Sequence, residues 1–435
     1  MFGFLIPAAV TLSSLILLIK MRFFVFCSFF KIIGCMVRTL RARQARRSFL
    51  LALSGTLGVG NIVGVAVGIL IGGAGSVFWL VISSFFSMIL KYAEASLSSQ
   101  TSLDKGYGII SLIHESYPKI GCHLSKIYAV FCIGLSFFMG AALQSSSVCS
   151  SVSRIVGLNG FIVGVFLCVF IIVAVVFKSR GIISAVSWLL PIASFLYMTL
   201  CCICIFKGIN NLSAVLLNII GSSFNFSSFG AGAFGYLIAS GIKEGFSRGL
   251  LSNEAGAGTS TLAHGTNTVS SASNVGILGM GEVVVDTLIF CPLTALAILV
   301  NVPDGSVCST GIELIMASLG KAFIGADGVL SVCIFVFAYA TIICWFYYGN
   351  LAVKYVFGRG TVLFGIIYLA SVLLGGVIGD VFAVKITDII LFCLTVITCT
   401  TLIKRSGSLV ELSERSGLIK PHLKSQAKPS LHPRK

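Results

Sequence analysis

Eleven apolar runs, each near the length of a bilayer crossing, recur along this chain at about 2–19, 48–73, 75–98, 126–150, 158–177, 182–206, 229–250, 274–300, 328–349, 361–379 and 381–403. A hydrocarbon core takes about 20 apolar residues per helix. No water reaches that depth, so every backbone polar group has to be paired inside the protein, and continuous apolar runs of this length do so as helices. Only 10% of the residues are charged, against about 25% in soluble domains. The expectation is an all-α polytopic membrane protein with 11 transmembrane helices and no large soluble domain.

The formal charge of +16 would point to nucleic acid in a soluble protein. In a membrane protein such a bias records topology instead. Residues 20–47 carry eight Lys or Arg and no acid. Placing that loop in the cytoplasm puts Arg41 to Arg47 beside anionic headgroups, with the apolar part from Phe23 to Met36 as an amphipathic interfacial helix. Basic residues then fall inside at 91–126, 178–180, 243–248, 354–359 and 404–435, which is 26 of the 30. The N-terminus is expected outside and the C-terminus inside, in a multi-pass protein of the cell (inner) membrane. The 15 cysteines read as small hydrophobes, with neither a disulfide framework nor a metal site. The first run has no basic residue before it and no small-residue cleavage pattern after it, so it reads as a retained helix. Four units are expected: an extra helix and basic loop at 1–47, five-helix repeats at 48–206 and 229–403, and a disordered basic tail at 404–435.

Two of the runs are weakened by glycine at matching positions. Gly55-Thr-Leu-Gly-Val-Gly-Asn61 lies inside the second run, and the seventh contains Gly230, Gly232, Gly235, Gly241, Gly245 and Gly249. Each glycine costs a helix roughly 1 kcal/mol relative to alanine. With the first run set aside, these two helices open the two halves of a five-plus-five arrangement. Because five is odd, the halves run in opposite directions, which marks an inverted-repeat transporter with a midplane site. A helix broken at membrane depth frees amides for an anion and carbonyls for a cation. The alternative is close packing of small residues without any break.

Several motifs then follow one another in a recognisable order. Ser54-Gly-Thr-Leu-Gly-Val-Gly-Asn-Ile-Val-Gly-Val-Ala66 comes first, then Lys91-Tyr-Ala-Glu94 and the Gln-x-x-Ser at Gln144. Arg248-Gly-Leu-Leu-Ser-Asn-Glu-Ala-Gly256 follows, with Ala263-His264, Asp286-Thr287, Phe337-Ala-Tyr-Ala-Thr-Ile342 and Trp345-Phe-Tyr-Tyr-Gly349. Over about 48–360 the chain resembles the alanine/glycine:cation symporters (the sodium:alanine symporter family). The resemblance implies a leucine-transporter-like fold and sodium-driven uptake of alanine or glycine, with no cofactor beyond the coupling ion. By likeness to the related sodium symporters, amides around Thr56, Gly58, Val59 and Gly60 would hold the substrate carboxylate, and carbonyls of Ser54 and Leu57 with the Thr341 hydroxyl would hold sodium. Ala340 and Asn350 stand where the family usually has Ser and Glu.

Oxygen ligands suit a hard cation such as sodium. Gln144 could supply an amide to the ligand or only bridge helices, and Thr341 could return its hydroxyl to its own helix. The second break is placed at Ser240 and Gly241. Asn253 and Glu254 are expected to pin an inner gate with Lys243 or Arg248, and Glu94 to pair locally with Lys91. Glu282 and Asp286 share one helix face; acids within a membrane are functional candidates, so a proton-coupled symporter using Glu282 or Asp286 is the alternative. Glu282 is otherwise expected to reach the cytoplasmic interface. A non-transporting amino-acid sensor is a further alternative. A channel would need repeated lining rings, and enzyme motifs such as Gly-x-Ser-x-Gly or His-Glu-x-x-His are missing from the sequence. The partners are therefore a small neutral amino acid, sodium and membrane lipids, and no nucleic acid.

Overall fold

The computed structural model describes residues 2–102, 105–176, 179–224, 232–265, 267, 270–302, 308–378 and 380–419. Among these the regular structure is helical throughout, with no strand. The main helices are α1 (Phe2–Lys20), α2 (Phe29–Thr39), α3 (Arg43–Thr56), α4 (Val63–Gly72), α5 (Gly75–Ser98), α6 (Gly121–Val156), α7 (Gly160–Val176) and α8 (Ser179–Lys207). They continue with α9 (Ile209–Phe224), α10 (Gly232–Asn253), α11 (Ala272–Leu299), α12 (Gly311–Ala322), α13 (Ala326–Phe357), α14 (Val362–Ile378), α15 (Asp380–Lys404) and α16 (Ser406–Arg415).

Six of the described helices are long and apolar enough to cross a membrane unaided, and α3 with α4 forms a seventh candidate bent by 61°. The runs at 2–19, 158–177 and 361–379 carry shorter apolar helices, and α9 is a further short helix that the hydropathy pattern did not single out.

Helix α5 is the hub. Helices α10 and α11 lie along it, α4 lies along α10, and α13 packs on α6, α3 and α8. The glycines of α10 explain the first of these contacts and correct one expectation. Helix α10 runs unbroken through Ser240 and Gly241. Gly241, Gly245 and Gly249 form a small-residue stripe along which α10 approaches its neighbours, as small residues allow between membrane helices. A methyl on Gly241 would sit 3.0 Å from the Gly72 carbonyl, and one on Gly245 would run into the Ser76 carbonyl. Gly245→Ala is therefore expected to destabilise the fold by about 1–3 kcal/mol, read as a lowered melting temperature of the purified protein.

This stripe also corrects the charge tally. Gly241 faces Gly72 at the α4–α5 turn, the end expected outside, so Lys243 and Arg248 leave the group expected in the cytoplasm, which falls from 26 to 24 of the 30 basic residues. The expected interfacial helix is partly internal: α2 buries Ile32 and seats Met36 against Gly281 of α11. The tail is not wholly disordered. Helix α16 buries Leu409 and Ser413, and the Ser413 hydroxyl lies 2.8 Å from the Tyr92 hydroxyl. Lys20 Nζ donates to Ser406 Oγ at 2.6 Å, so the ends of α1 and α15 share one side. The tail from residue 420 on and Gly230 lie outside the described residues.

Candidate functional site

The break between α3 and α4 spans Leu57 to Ile62, with a short turn of 3-10 helix at Val59–Asn61. A helix end leaves four carbonyls without internal partners, and here each finds one. Leu53 O accepts from Leu57 N at 2.7 Å and Thr56 O from Gly58 N at 2.9 Å. Ser54 O accepts from the Thr341 hydroxyl at 2.9 Å, and Gly55 O from the Trp345 indole at 3.2 Å. Helix α13 thus supplies the side chains that let α3 stop at membrane depth.

The amides on the other side are held in the same way. Gly58 N donates to Asn61 Oδ1 at 3.3 Å and Val59 N to Gln144 Oε1 at 3.2 Å. Gly60 N makes no hydrogen bond among the described residues. Gly58 is required by space: a methyl there would lie 2.7 Å from the Thr341 hydroxyl and 3.1 Å from Gln144 Oε1.

Thr56, Val59, Gly60 and Gln144 line one cavity of about 420 Å³, together with Ser252 and Arg248 of α10. That volume lies within the roughly 300–1,000 Å³ usual for small-molecule sites. The cavity runs along α4 to Thr310 at the start of α12 and to Lys385 of α15. Hydrogen bonds from the Ser309 hydroxyl and amide hold the Glu313 carboxyl of α12 below the usual carboxylate range. Ser54 and Thr341 are bonded together directly behind the break, Leu57 is buried beside them, and all three can offer oxygen to a hard cation. Among the described residues no cluster of His, Cys, Asp and Glu suits a transition metal.

The second interruption falls after α10 rather than at Ser240–Gly241. Ser240 instead donates to Ile71 O at 3.4 Å and is not among the residues that line the cavity. The helix ends at Asn253, and Glu254, Gly256 and Gly258 take positive φ of 53°, 90° and 76°. The two breaks meet through one network. Asn61 Nδ2 donates to Ser252 Oγ at 2.9 Å and to the Asp286 carboxylate. The Ser252 and Thr287 hydroxyls donate to Asp286 Oδ2 at 2.6 and 2.8 Å.

Both Gln144 and Asp286 stand at π-helical segments, Ser136–Leu143 and Val284–Phe290, and such bulges concentrate at functional sites. Nothing in hydropathy marks a π-turn. Asn61, Ser252 and Trp345 were visible in the motifs, but no spacing rule gave them a role.

Four expectations about charge change here. Glu282 does not reach an interface: it is fully buried, 3.2 Å from Lys91 Nζ, with His264 Nε2 on its other oxygen. Glu94 accepts from Gly256 N at 2.6 Å rather than pairing with Lys91. Asn253 donates to Thr287 at 3.0 Å, and Glu254 takes the Thr259 hydroxyl. Arg248 pairs with Glu244 at 3.1 Å. Burial explains the positions of Glu282, Glu94 and Glu254, all 0–1% exposed, because a charge removed from water has to find its nearest partner inside; Arg248 and Glu244 are instead neighbours one helical turn apart.

A bundle of apolar helices, with one helix broken against a walled cavity and donors converging on the break, is the architecture of a secondary transporter. The structure resembles the manganese transporter of Eremococcus coleocola, with a TM-score of 0.54 at 12% identity, over 82% of this chain and 76% of that one; that likeness concerns the fold alone. The family model described as the sodium:alanine symporter family matches residues 1–415. The chain belongs to that family. It is similar to the sodium/alanine symporter AgcS of Methanococcus maripaludis, 28% identical over 74% of this chain and 73% of the relative. It is also similar to the probable sodium/glutamine symporter GlnT of Bacillus subtilis, 28% identical over 72% and 68%. The putative sodium/proton-dependent alanine carrier YrbD of the same organism is 29% identical over 70% and 66%. The protein is thus an integral membrane symporter of the amino-acid and cation class and not an enzyme.

Proposed function

We propose that the protein drives uptake of a small neutral amino acid, alanine or glycine, with an inward sodium gradient. The observation that carries this reading is the break itself. Ser54 and Thr341 present oxygen behind it, the Val59 and Gly60 amides lie on its cavity side, and Gln144 shares that wall. The substrate carboxylate would take the amide now held by Gln144, and sodium would take the oxygen of Ser54, Leu57 and Thr341. The helices α3 with α4, α5, α10 and α11 would then rock against the rest, as two inverted repeats do, with 11 crossings, the N-terminus outside and the C-terminus in the cytoplasm. Each charge carried inward gains about 2.3 kcal/mol per 100 mV. Residues 48–206 and 229–403 would form the repeats, and 1–47 and 404–435 the appended units.

A second reading, proton coupling, draws on the buried Asp286 bonded to the break. Reconstituted protein separates the two. Labelled alanine or glycine should accumulate with an inward sodium gradient at equal pH on both sides; accumulation with a pH gradient alone favours the proton, and binding without accumulation favours a sensor. Thr341→Ala removes one charge-assisted contact and is expected to raise the sodium concentration for half-maximal uptake about tenfold. An unchanged sodium dependence removes Thr341 from the ion site.

A further inference from the structure

Helix α16 crosses the side that holds the ends of α1 and α15, and no step above has used it. Ser406, Leu409 and Ser413 are buried along it, while Glu411 and Arg415 face out as an exposed pair. That three- and four-residue spacing lays one face of the helix on the protein. Ile419, just past its end, is buried as well. The two ends of α16 hold different parts. At its start, Arg405 Nε donates to Ser116 Oγ at 3.0 Å, and the guanidinium lies 3.7 Å from Glu115. Both partners belong to the short helix Ile109–Ser116. Lys20 of α1 reaches Ser406 beside them. At the far end the partners are α5 and α2. The Tyr92 hydroxyl lies 2.8 Å from Ser413 Oγ, and Lys31 Nζ donates to Gly417 O at 3.2 Å. Tyr92 is fully buried, and its hydroxyl also lies 3.3 Å from that of Ser273 in α11. The cavity is elsewhere: among the described residues none of α1, α2 or α16 lines it.

We infer that α16 is a strap over the side expected to be cytoplasmic, and that it holds the carrier closed there. The inference rests on the rocking motion proposed above, in which α3 with α4, α5, α10 and α11 move against the rest. The start of α16 is tied to the stationary part through α15 and α1, and its far end to α5. Opening on this side draws the two ends apart. Helix α16 then has to give up the burial of Leu409 and Ile419 and the contact between Ser413 and Tyr92, all of which favour the closed form. A rocking carrier opens one side as the other shuts, so weakening the strap shifts the population toward the inward-open form.

Hydrogen exchange on the purified full-length protein reads this without any solute. Leu409→Asp puts a charge where α16 is buried and should lift the helix. Two peptides report the result. One covers 254–264, next to the strapped side, where Ile109 N donates to Thr261 Oγ1 at 2.8 Å. The other covers 308–316, where Thr310 and Ile312 line the cavity. Exchange should speed about tenfold over the first and slow about threefold over the second. The opposite signs carry the test, since plain loosening speeds exchange on both sides. Tyr92→Phe with Ser413→Ala removes the hydroxyl contact and keeps the ring. It serves where Leu409→Asp does not fold, and should move both peptides in the same senses to a smaller degree. The unaltered protein is also compared in sodium alone and in sodium with alanine. If alanine moves the two peptides in opposite senses and the variants do not, the strap is overturned and the carrier reading stands. If the variants separate the two sides and alanine does not, the strap holds and alanine is the wrong solute. If neither does, both readings are overturned.

Discussion

Gly58→Ala is expected to lower uptake about 5- to 100-fold, from roughly 1–3 kcal/mol of overpacking at about 1.4 kcal/mol per decade. The backbone angle is not the obstacle, since Gly58 has φ −129°, open to any residue. The obstacle is the Thr341 hydroxyl and Gln144 Oε1, which close over the α-carbon at 2.7 and 3.1 Å from any added methyl. To admit the methyl, Thr341 has to release Ser54 O or Gln144 has to release Val59 N. Either movement dismantles a wall of the proposed site. Gly60→Ala is a control for melting temperature only, because a methyl there meets nothing within 4 Å while Gly60 itself lines the cavity. Uptake by Gly58→Ala and the melting temperature of both variants check this. Normal uptake by Gly58→Ala would show that the contacts over the break are dispensable.

Glu282→Ala is expected to have the largest effect on stability, about 3–5 kcal/mol, because it strands a buried charge. Lys91 Nζ is fully buried, with Glu282 at 3.2 Å and the Ser260 hydroxyl at 2.9 Å. Ser260 and His264 belong to the turn after α10, so this ion pair ties the second interruption to α5 and α11. Replacing both partners by apolar residues of similar size removes the stranded charge, and such replacements are often near neutral. Lys91→Met with Glu282→Leu should therefore recover most of the melting temperature lost by the single variant. A double variant no better than Glu282→Ala would show that the ion pair is not what the single change disrupts.

Hydropathy alone was enough to place helices in all eleven apolar runs, because apolar length is a property of each segment by itself. The first break was also legible, since Gly55, Gly58 and Gly60 fall within six residues and no neighbouring stretch offsets them. The second was not. Gly241, Gly245 and Gly249 look in one dimension like a place where a helix fails, yet they serve close packing on α5, a property of two helices. The turn at Glu254–Gly258 was hidden inside a motif read as the pin of an inner gate. Buried pairing was least legible of all. Lys91 and Glu94 are three residues apart and seem made for each other, but Glu282 lies nearer to Lys91 in space and Gly256 N nearer to Glu94. Asn61 sat in plain view in the glycine-rich stretch, and only its contact with Asp286 gives it a task.

Equilibrium binding of labelled alanine to the purified protein, measured across a sodium titration, tests most directly whether one interrupted helix grips both solutes. Linkage requires that sodium tighten alanine binding by the same factor by which alanine tightens sodium binding. The expected result is a common factor of at least about fivefold, in the usual range of coupling energies, reduced in Thr341→Ala. Alanine binding that is equally tight with and without sodium would contradict a shared site at the Leu57–Asn61 break.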